Sequence, residues 1–438
     1  MVKLPNILYL HSHDTGRYIQ PYGHAVETPN LQKLAEEGVL FRQAFTANPT
    51  CSPSRACLLT GQSAHSNGMI GLAHRGFALE DYSHHMLHTL REHGYVSALS
   101  GMQHIATGPE AWKTIGYDQH LGPIPVAHER AVDFLDNAPQ EPFFLATGFF
   151  ETHREFPEVP EDDPRYCLPP PCLPDTPETR LDMARFKTSA RILDQKMGMV
   201  LDALEANGLA ENTLVICTTD HGIAFPRMKC NLEDTGTGIM LIMRGPGGFR
   251  GGQALDAMVS QIDIFPTVCD LLGIAPPEWL EGESFLPVVR GEAQETNEAI
   301  FSEVNYHASY EPKRAVRTKR WKYIRRYDGR DVPVLPNCDD GLSKSVWLDN
   351  GWADGHVVTE TLFDLVFDPN ETRDLSTDPE CAGILEEMRN RLDAWMTRTD
   401  DPLSKTNFVL APEGAAVNDP NGVSPRDKPL PVGTFHPA

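Results

Sequence analysis

The chain has 438 residues, 40% of them hydrophobic, and 38 basic against 61 acidic side chains give it a formal net charge of −23. That length supports one large core with a smaller second unit. The charge argues against nucleic acid and anionic membrane as partners, so an anionic substrate would need a local cluster of cations or a metal.

Taken in chain order, the opening MVKLPNILYLHSHD has an apolar NILYL too short for a signal peptide. A cytoplasmic protein is expected, with a trimmed leader as the alternative, and no apolar run approaches the ~18–20 residues of a membrane span. NILYLH (6–11) reads as a buried parallel strand, and His13 and Asp14 follow it. TPNLQKLAEEG (28–38) reads as a helix with Thr28 as cap, Pro29 at its first position, Leu31, Leu34 and Ala35 on one face, and Gly38 as stop.

NPTCSPSRACLLTGQ (48–62) puts Pro53 in the first turn of a helix that stops at Gly61. Cys51 then sits at a helix N-terminus, where free N–H groups favour negative charge. The plain alternative is an ordinary buried cysteine. MLHTLREHG (86–94) and TRLDMARFKTSARILDQKMGMVLDALEANG (179–208) read as further helices. YVSALS (95–100), PFFLATGFF (142–150) and TLVICTT (213–219) read as further covered strands. Past about residue 290, AIFSEV, AVRTKRWKYIRRY and TLFDLVFD look antiparallel, GILEEMRNRLDAWM (383–396) reads as an amphipathic helix, and a Pro/Gly/Asn-rich tail begins near 400. That tail is expected to wrap the surface or a neighbour in a homo-oligomer.

In an open α/β sheet, ligands sit beyond the carboxyl ends of the strands. His13 and Asp14, His104, His153, and Asp220 and His221 each follow one of four such ends. The pairs His13–Asp14 and Asp220–His221 form a mixed oxygen and nitrogen donor set. Imidazole moves metal preference from calcium or magnesium toward manganese, zinc or iron. Lys229, in FPRMKCN, could supply local positive charge, whereas Arg227 reads as a solvated turn residue. The nine cysteines contain no C-x-x-C pair, so neither a zinc finger nor a disulfide framework is expected. Cys167 and Cys172 are the one pair that could bridge in an oxidising compartment, with reduced thiols the expectation.

CSPSRACLLTG matches the sulfatase signature C-x-P-S-R-x-x-x-L-T-G at every fixed position. With NILYL, TPNLQKLAEEGVLFRQAFT, TTDHG, VSQIDIFPTVCDLLGI, AVRTKRWKYI and LFDLVFDPNETRDLS, it makes residues 6–376 resemble the sulfatase family. DHGIAFPRMKCNL and HSNGMIGL look closest to the sulfamidase (heparan N-sulfatase) branch. The resemblance implies an alkaline-phosphatase-like α/β fold, with a large, mostly parallel sheet sandwiched by helices and a smaller C-terminal α+β subdomain. The expected divisions are 1–290, 291–400 and a tail 401–438.

It also implies that a formylglycine-generating or sulfatase-maturating enzyme oxidises Cys51 to formylglycine. The hydrated aldehyde carries two hydroxyls. One attacks sulfur, and the other later loses its proton so that the carbonyl re-forms and sulfate leaves. Carried over residue by residue, the metal ligands are His13, Asp14, residue 51, Asp220 and His221. The metal would be manganese, zinc or calcium, with manganese or zinc favoured by the histidines. Arg55 would orient the aldehyde hydrate, His104 would remove the second proton, and His153 and Lys229 would grip the sulfate and protonate the leaving atom.

Two positions depart from the family pattern. His13 stands where the family usually has Asp, and Met102 where it has Lys. His65 or His74 could replace that cation, and His74 and Arg75 could line the pocket. The expected activity is hydrolysis of a small sulfated sugar or aryl sulfate, as ester or sulfamate. The alternatives are a phosphonate monoester or phosphodiester hydrolase of the same superfamily, and a non-catalytic binder of sulfated sugar.

Overall fold

The structure, a computed structural model, describes residues 3–434. Eight strands form the main sheet: β1 (Asn6–His11), β2 (Val39–Phe45), β3 (Val96–Gly101), β4 (Gln119–Gly122), β5 (Phe143–Gly148), β6 (Thr213–Thr218), β7 (Leu241–Arg244) and β8 (Gln253–Ser260). Their order is β4-β3-β5-β1-β6-β7-β2-β8, and only β7 runs against its neighbours. Every residue of β1, β5 and β6 is buried, because helices cover both faces of the sheet's centre. That explains why these strands appear in the sequence as unbroken apolar runs. Strands β2, β4, β7 and β8 were not expected. Exposed Arg42 interrupts β2, and β4 and β8 are edge strands with exposed polar positions.

The helix expected at 28–38 spans Pro29–Glu37, but Thr28 does not cap it with its side chain. The Thr28 hydroxyl accepts from the Gln20 amide (3.0 Å). Asp194, on the long helix Pro177–Ala206, takes over the capping by accepting from the Asn30 and Leu31 amides at 3.2 and 2.8 Å. The helix stops as expected at Gly38, whose amide reaches the Leu34 carbonyl (2.9 Å).

A second sheet of β9 (Ile300–Tyr306), β10 (Tyr310–Arg317), β11 (Trp321–Arg326) and β12 (Glu360–Asp364) is antiparallel throughout, in the order β12-β11-β10-β9. One apolar cluster runs from Ile7 and Phe144 in the large sheet to Tyr306, Val316 and Tyr323 in the small one, and to Trp395 on the helix Ala382–Arg398. Deleting a ring such as Phe144 from that cluster would cost about 3–5 kcal/mol. The tail lies against its own chain. The Ser309 hydroxyl donates to the Asn418 carbonyl (2.9 Å), and Lys344 Nζ donates to the Val423 carbonyl (2.6 Å).

Cys167 and Cys172 are both free thiols, as are the other seven cysteines. Among the described residues, no helix is long and apolar enough to cross a membrane.

Candidate active site

The order β3-β5-β1-β6 places four parallel strands side by side, so the residues leaving their carboxyl ends meet along one edge. Asp14 (φ 53°) and His104 (φ 65°) adopt the left-handed backbone region that non-glycine residues seldom occupy. Such backbone persists where the surroundings over-determine it, which is common at functional sites. The Asp14 amide donates to Asp220 Oδ1 (2.8 Å), tying the end of β1 to the end of β6. The last residue of β3 is glycine because, at φ 80°, a Cβ on Gly101 would lie 2.3 Å from the Gly148 carbonyl oxygen.

Cys51 is the first residue of the helix Cys51–Thr60, all ten residues of which are buried. The signature residues fasten this helix to the strand ends. Ser54 Oγ donates to the Asp220 carbonyl (2.7 Å). Arg55 Nη2 donates to Asp220 Oδ2 and to the Ser12 carbonyl, both at 2.8 Å. Arg55 Nη1 donates to His11 Nδ1 (2.5 Å).

Four groups converge in front of Cys51. His13 Nδ1 lies 2.5 Å from Asp14 Oδ1 and 3.1 Å from Asp220 Oδ2. His221 Nε2 lies 3.4 Å from Asp14 Oδ1, 3.6 Å from Asp220 Oδ2 and 3.4 Å from Cys51 Sγ. One donor atom from each of His13, Asp14, Cys51, Asp220 and His221 lies within 4.8 Å of all the others, and all five residues are buried. His221 Nδ1 donates to the Gly222 carbonyl (3.0 Å), which leaves Nε2 as the lone-pair nitrogen facing the cluster. His13 Nε2 is buried without a partner. Two carboxylates and two imidazoles aimed at a common point fit a divalent metal.

The local charges are held in place. Burial would raise the Asp14 carboxyl, but Lys229 and His221 outweigh it and bring its pKa down to about 2. Asp220 is likewise held below the ordinary carboxylate range, burial being overcome by His13, His221 and Arg55. Burial pushes the Cys51 thiol well above its usual value despite Lys229, so the unmodified side chain is a neutral thiol. Burial opposes the Lys229 charge, yet Asp14 and Asp339 raise its pKa well above that of an ordinary lysine. Burial, with Arg55 and His74, lowers His104 to about 3, leaving a neutral imidazole.

The remaining expected residues surround this cluster. Lys229 Nζ is 3.0 Å from Asp14 Oδ2. The His153 ring meets the His13 ring edge-on at 4.5 Å, and the His104 ring lies 5.8 Å from it. His74 stacks on His104 with its Nδ1 3.2 Å from His104 Nε2, so it stands at the site. His65 does not. It faces the small sheet, where it pairs with Glu303 at 2.9 Å. Arg227 is also turned away, donating to the Glu371 carbonyl.

Sequence reasoning missed Asp339, whose Oδ2 is 2.9 Å from Lys229 Nζ, and His307, which lies within the electrostatic reach of both. Neither follows a strand of the main sheet, so no strand-end pattern pointed to them. A cavity of about 500 Å³ opens beside His104, bordered by His74, Met102, Trp112, His120 and Phe150. A larger cavity, about 1020 Å³, lies around Trp347 and Trp352 and is lined by none of the expected catalytic or metal-ligating residues.

Comparison with known proteins gives the same picture. The family model "Sulfatase" matches residues 5–274, and "N-sulphoglucosamine sulphohydrolase, C-terminal" matches residues 229–338. The chain is 30% identical to human N-sulphoglucosamine sulphohydrolase, over 97% of this chain and 95% of that one. It is 28% identical to the Delta 4,5-hexuronate-2-O-sulfatase of Bacteroides thetaiotaomicron, over 91% and 90%. Among solved structures, BT1596, a 2-O GAG sulfatase, superposes with a TM-score of 0.73 at 23% identity, covering 97% of this chain and 100% of that one. BT4656 in complex with its substrate D-glucosamine-2-N,6-O-disulfate superposes with a TM-score of 0.69 at 18% identity, covering 92% and 100%. At those identities the two structures establish the shared fold.

Proposed function

The chain belongs to the sulfatase family, and from that premise we propose that it removes sulfate from a small sulfated sugar at the Cys51 cluster, with the N-sulfo group of glucosamine as the first substrate to test. The convergence of four buried donor residues on Cys51, flanked by Arg55 and Lys229, carries this reading. The human relative's name, and the glucosamine disulfate bound by BT4656, support the choice of substrate.

His13, Asp14, Asp220 and His221 would hold one divalent metal together with residue 51. The two imidazoles favour manganese or zinc over calcium. Such an ion would supply Lewis-acid polarisation, and a formylglycine made from Cys51 would supply the nucleophilic oxygen. Cys51 is only 2% exposed. The maturating enzyme would therefore meet the CSPSR segment before the sheet closes over it.

The chain's own residues have separable tasks. Arg55, anchored on Asp220 and on the Ser12 carbonyl, holds the head of the Cys51 helix against the donor cluster and orients residue 51. His104, neutral and exposed to proton exchange through His74, can accept a proton beside residue 51. Lys229, fixed as a cation by two carboxylates, grips sulfate oxygens and can donate to the leaving atom, with His153 on the adjoining side.

The test is turnover of D-glucosamine N-sulfate by protein made in a host that matures sulfatases. Release of sulfate by wild type and none by Cys51→Ala supports the reading. Faster turnover of an aryl phosphonate ester than of any sulfate would replace it with the phosphonate hydrolase alternative. Sulfated sugar bound without turnover would replace it with the non-catalytic binder.

A further inference from the structure

We propose that Asp339 recognises the atom bridging sulfur to the leaving group and selects nitrogen over oxygen there. This rests on the sulfatase reading given above and adds a residue that the family signature does not include.

The Lys229 ammonium lies between two carboxylates, Asp14 Oδ2 at 3.0 Å and Asp339 Oδ2 at 2.9 Å. It thereby links the donor cluster to a second anion. Of the three groups, Asp339 is the one that reaches open space, its side chain 17% exposed against 2% for Lys229 and 0% for Asp14. Among the described residues, no donor other than that ammonium lies within ion-pair or hydrogen-bond distance of the Asp339 carboxylate, and its Oδ2 accepts no hydrogen bond of good geometry. Burial would raise this carboxyl, but Lys229 overrides it and holds it at about 2. A fixed anion with unused acceptor capacity thus stands beside the cation proposed to hold the leaving atom.

A carboxylate offers no donor. The outer oxygens of a sulfo group are acceptors, and so is the bridging oxygen of a sulfate ester. Facing either, Asp339 gains no hydrogen bond and adds like-charge repulsion. The bridging N–H of a sulfamate is a donor, and the amine released from it is protonated near neutral pH. An N-sulfo sugar is therefore the substrate chemistry this carboxylate complements, both before and after the S–N bond is cut. A site built around a substrate N–H discriminates strongly against an analogue lacking it, because the buried acceptor is then left unpaired.

The test compares D-glucosamine N-sulfate with D-glucose 2-O-sulfate, which differ only in the bridging atom. Wild type is expected to favour the N-sulfate. Asp339→Asn and Asp339→Ala are expected to lower kcat/KM for the N-sulfate at least roughly thirtyfold more than for the O-sulfate. Inhibition provides a second readout. D-glucosamine should bind wild type more tightly than D-glucose, and the gap should close in Asp339→Asn. An equal loss on both substrates would overturn the inference, because Asp339 would then merely position Lys229. If wild type turns over neither sulfate, the sulfatase reading itself fails and this inference falls with it.

Discussion

Among the described residues, two clusters bring His together with Asp or Glu closely enough to hold a metal, and one of them reads as a reaction centre. The first is His13, Asp14, Asp220 and His221 around Cys51. The second is His65, Glu303 and Asp401 beneath Trp395. Both bring donor atoms within 4.8 Å of one another. They differ in charge balance.

In the second cluster Arg314 donates to both oxygens of Asp401 (2.5 and 3.0 Å) and lies 3.4 Å from Glu303. Burial works against the charge on His65, but Glu303 and Asp401 outweigh it and raise its pKa. Two anions thus meet two cations, and no charge is left for a metal to neutralise. In the first cluster Asp14 and Asp220, with the adjoining Asp339, meet two ion-paired basic side chains among the described residues, Lys229 and Arg55, and His13 is kept neutral by burial. Because Asp14 and Asp339 share the one Lys229 ammonium, one negative charge is left over, and Asp14 itself sits on left-handed backbone. A spatial cluster of ligand-type residues is therefore not itself evidence of a metal. The uncompensated charge and the strained backbone separate the two.

Substitutions can break or sharpen that contrast. The largest effect is expected from Cys51→Ala, which should remove turnover to background, roughly a millionfold, while the melting temperature stays close to wild type. Lys229→Ala should lower kcat/KM on sulfated substrate by about 10²–10³-fold through lost charge stabilisation. Arg314→Met should behave in the opposite way. It strands Glu303 and Asp401, costs about 3–5 kcal/mol of stability in denaturant titration, and leaves kcat per folded molecule near wild type.

Metal analysis sharpens the contrast further. One equivalent of divalent ion per chain is expected, largely lost in Asp220→Ala and retained in Glu303→Gln. The thermal stabilisation conferred by added metal should disappear in the former variant alone. The smallest effect is the pH response of His65. Its folded-state pKa is raised, so its stabilising contribution is complete below about pH 6.5 and fades as pH rises through the elevated folded value. The gap in melting temperature between wild type and His65→Gln should therefore narrow as pH rises above about 6.5.

The central strands could be read from the sequence because β1, β3, β5 and β6 are covered on both faces, so packing allows little there but apolar and small residues. Parallel alignment then brings His and Asp residues from four strand ends to one edge, which is why the grouping of His13, Asp14, His104, His153, Asp220 and His221 could be read in advance. The edge strands β4 and β8 carry exposed polar residues and left no comparable trace.

His65 shows the limit of reasoning from proximity in sequence. It lies just beyond the Cys51 helix, but nothing in HSNGM tells which way its ring turns, and the ring turns toward Glu303. Asp339 reaches Lys229 across 110 positions from the connection between β11 and β12. Its role depends on tertiary packing alone.

The most direct test is the mass of the peptide between Arg42 and Arg55, taken from protein whose turnover of a sulfated sugar has just been measured. The aldehyde mass at residue 51, rising and falling with activity across preparations of different maturation, is the result expected. Full activity in protein that carries only the unmodified thiol would contradict the account.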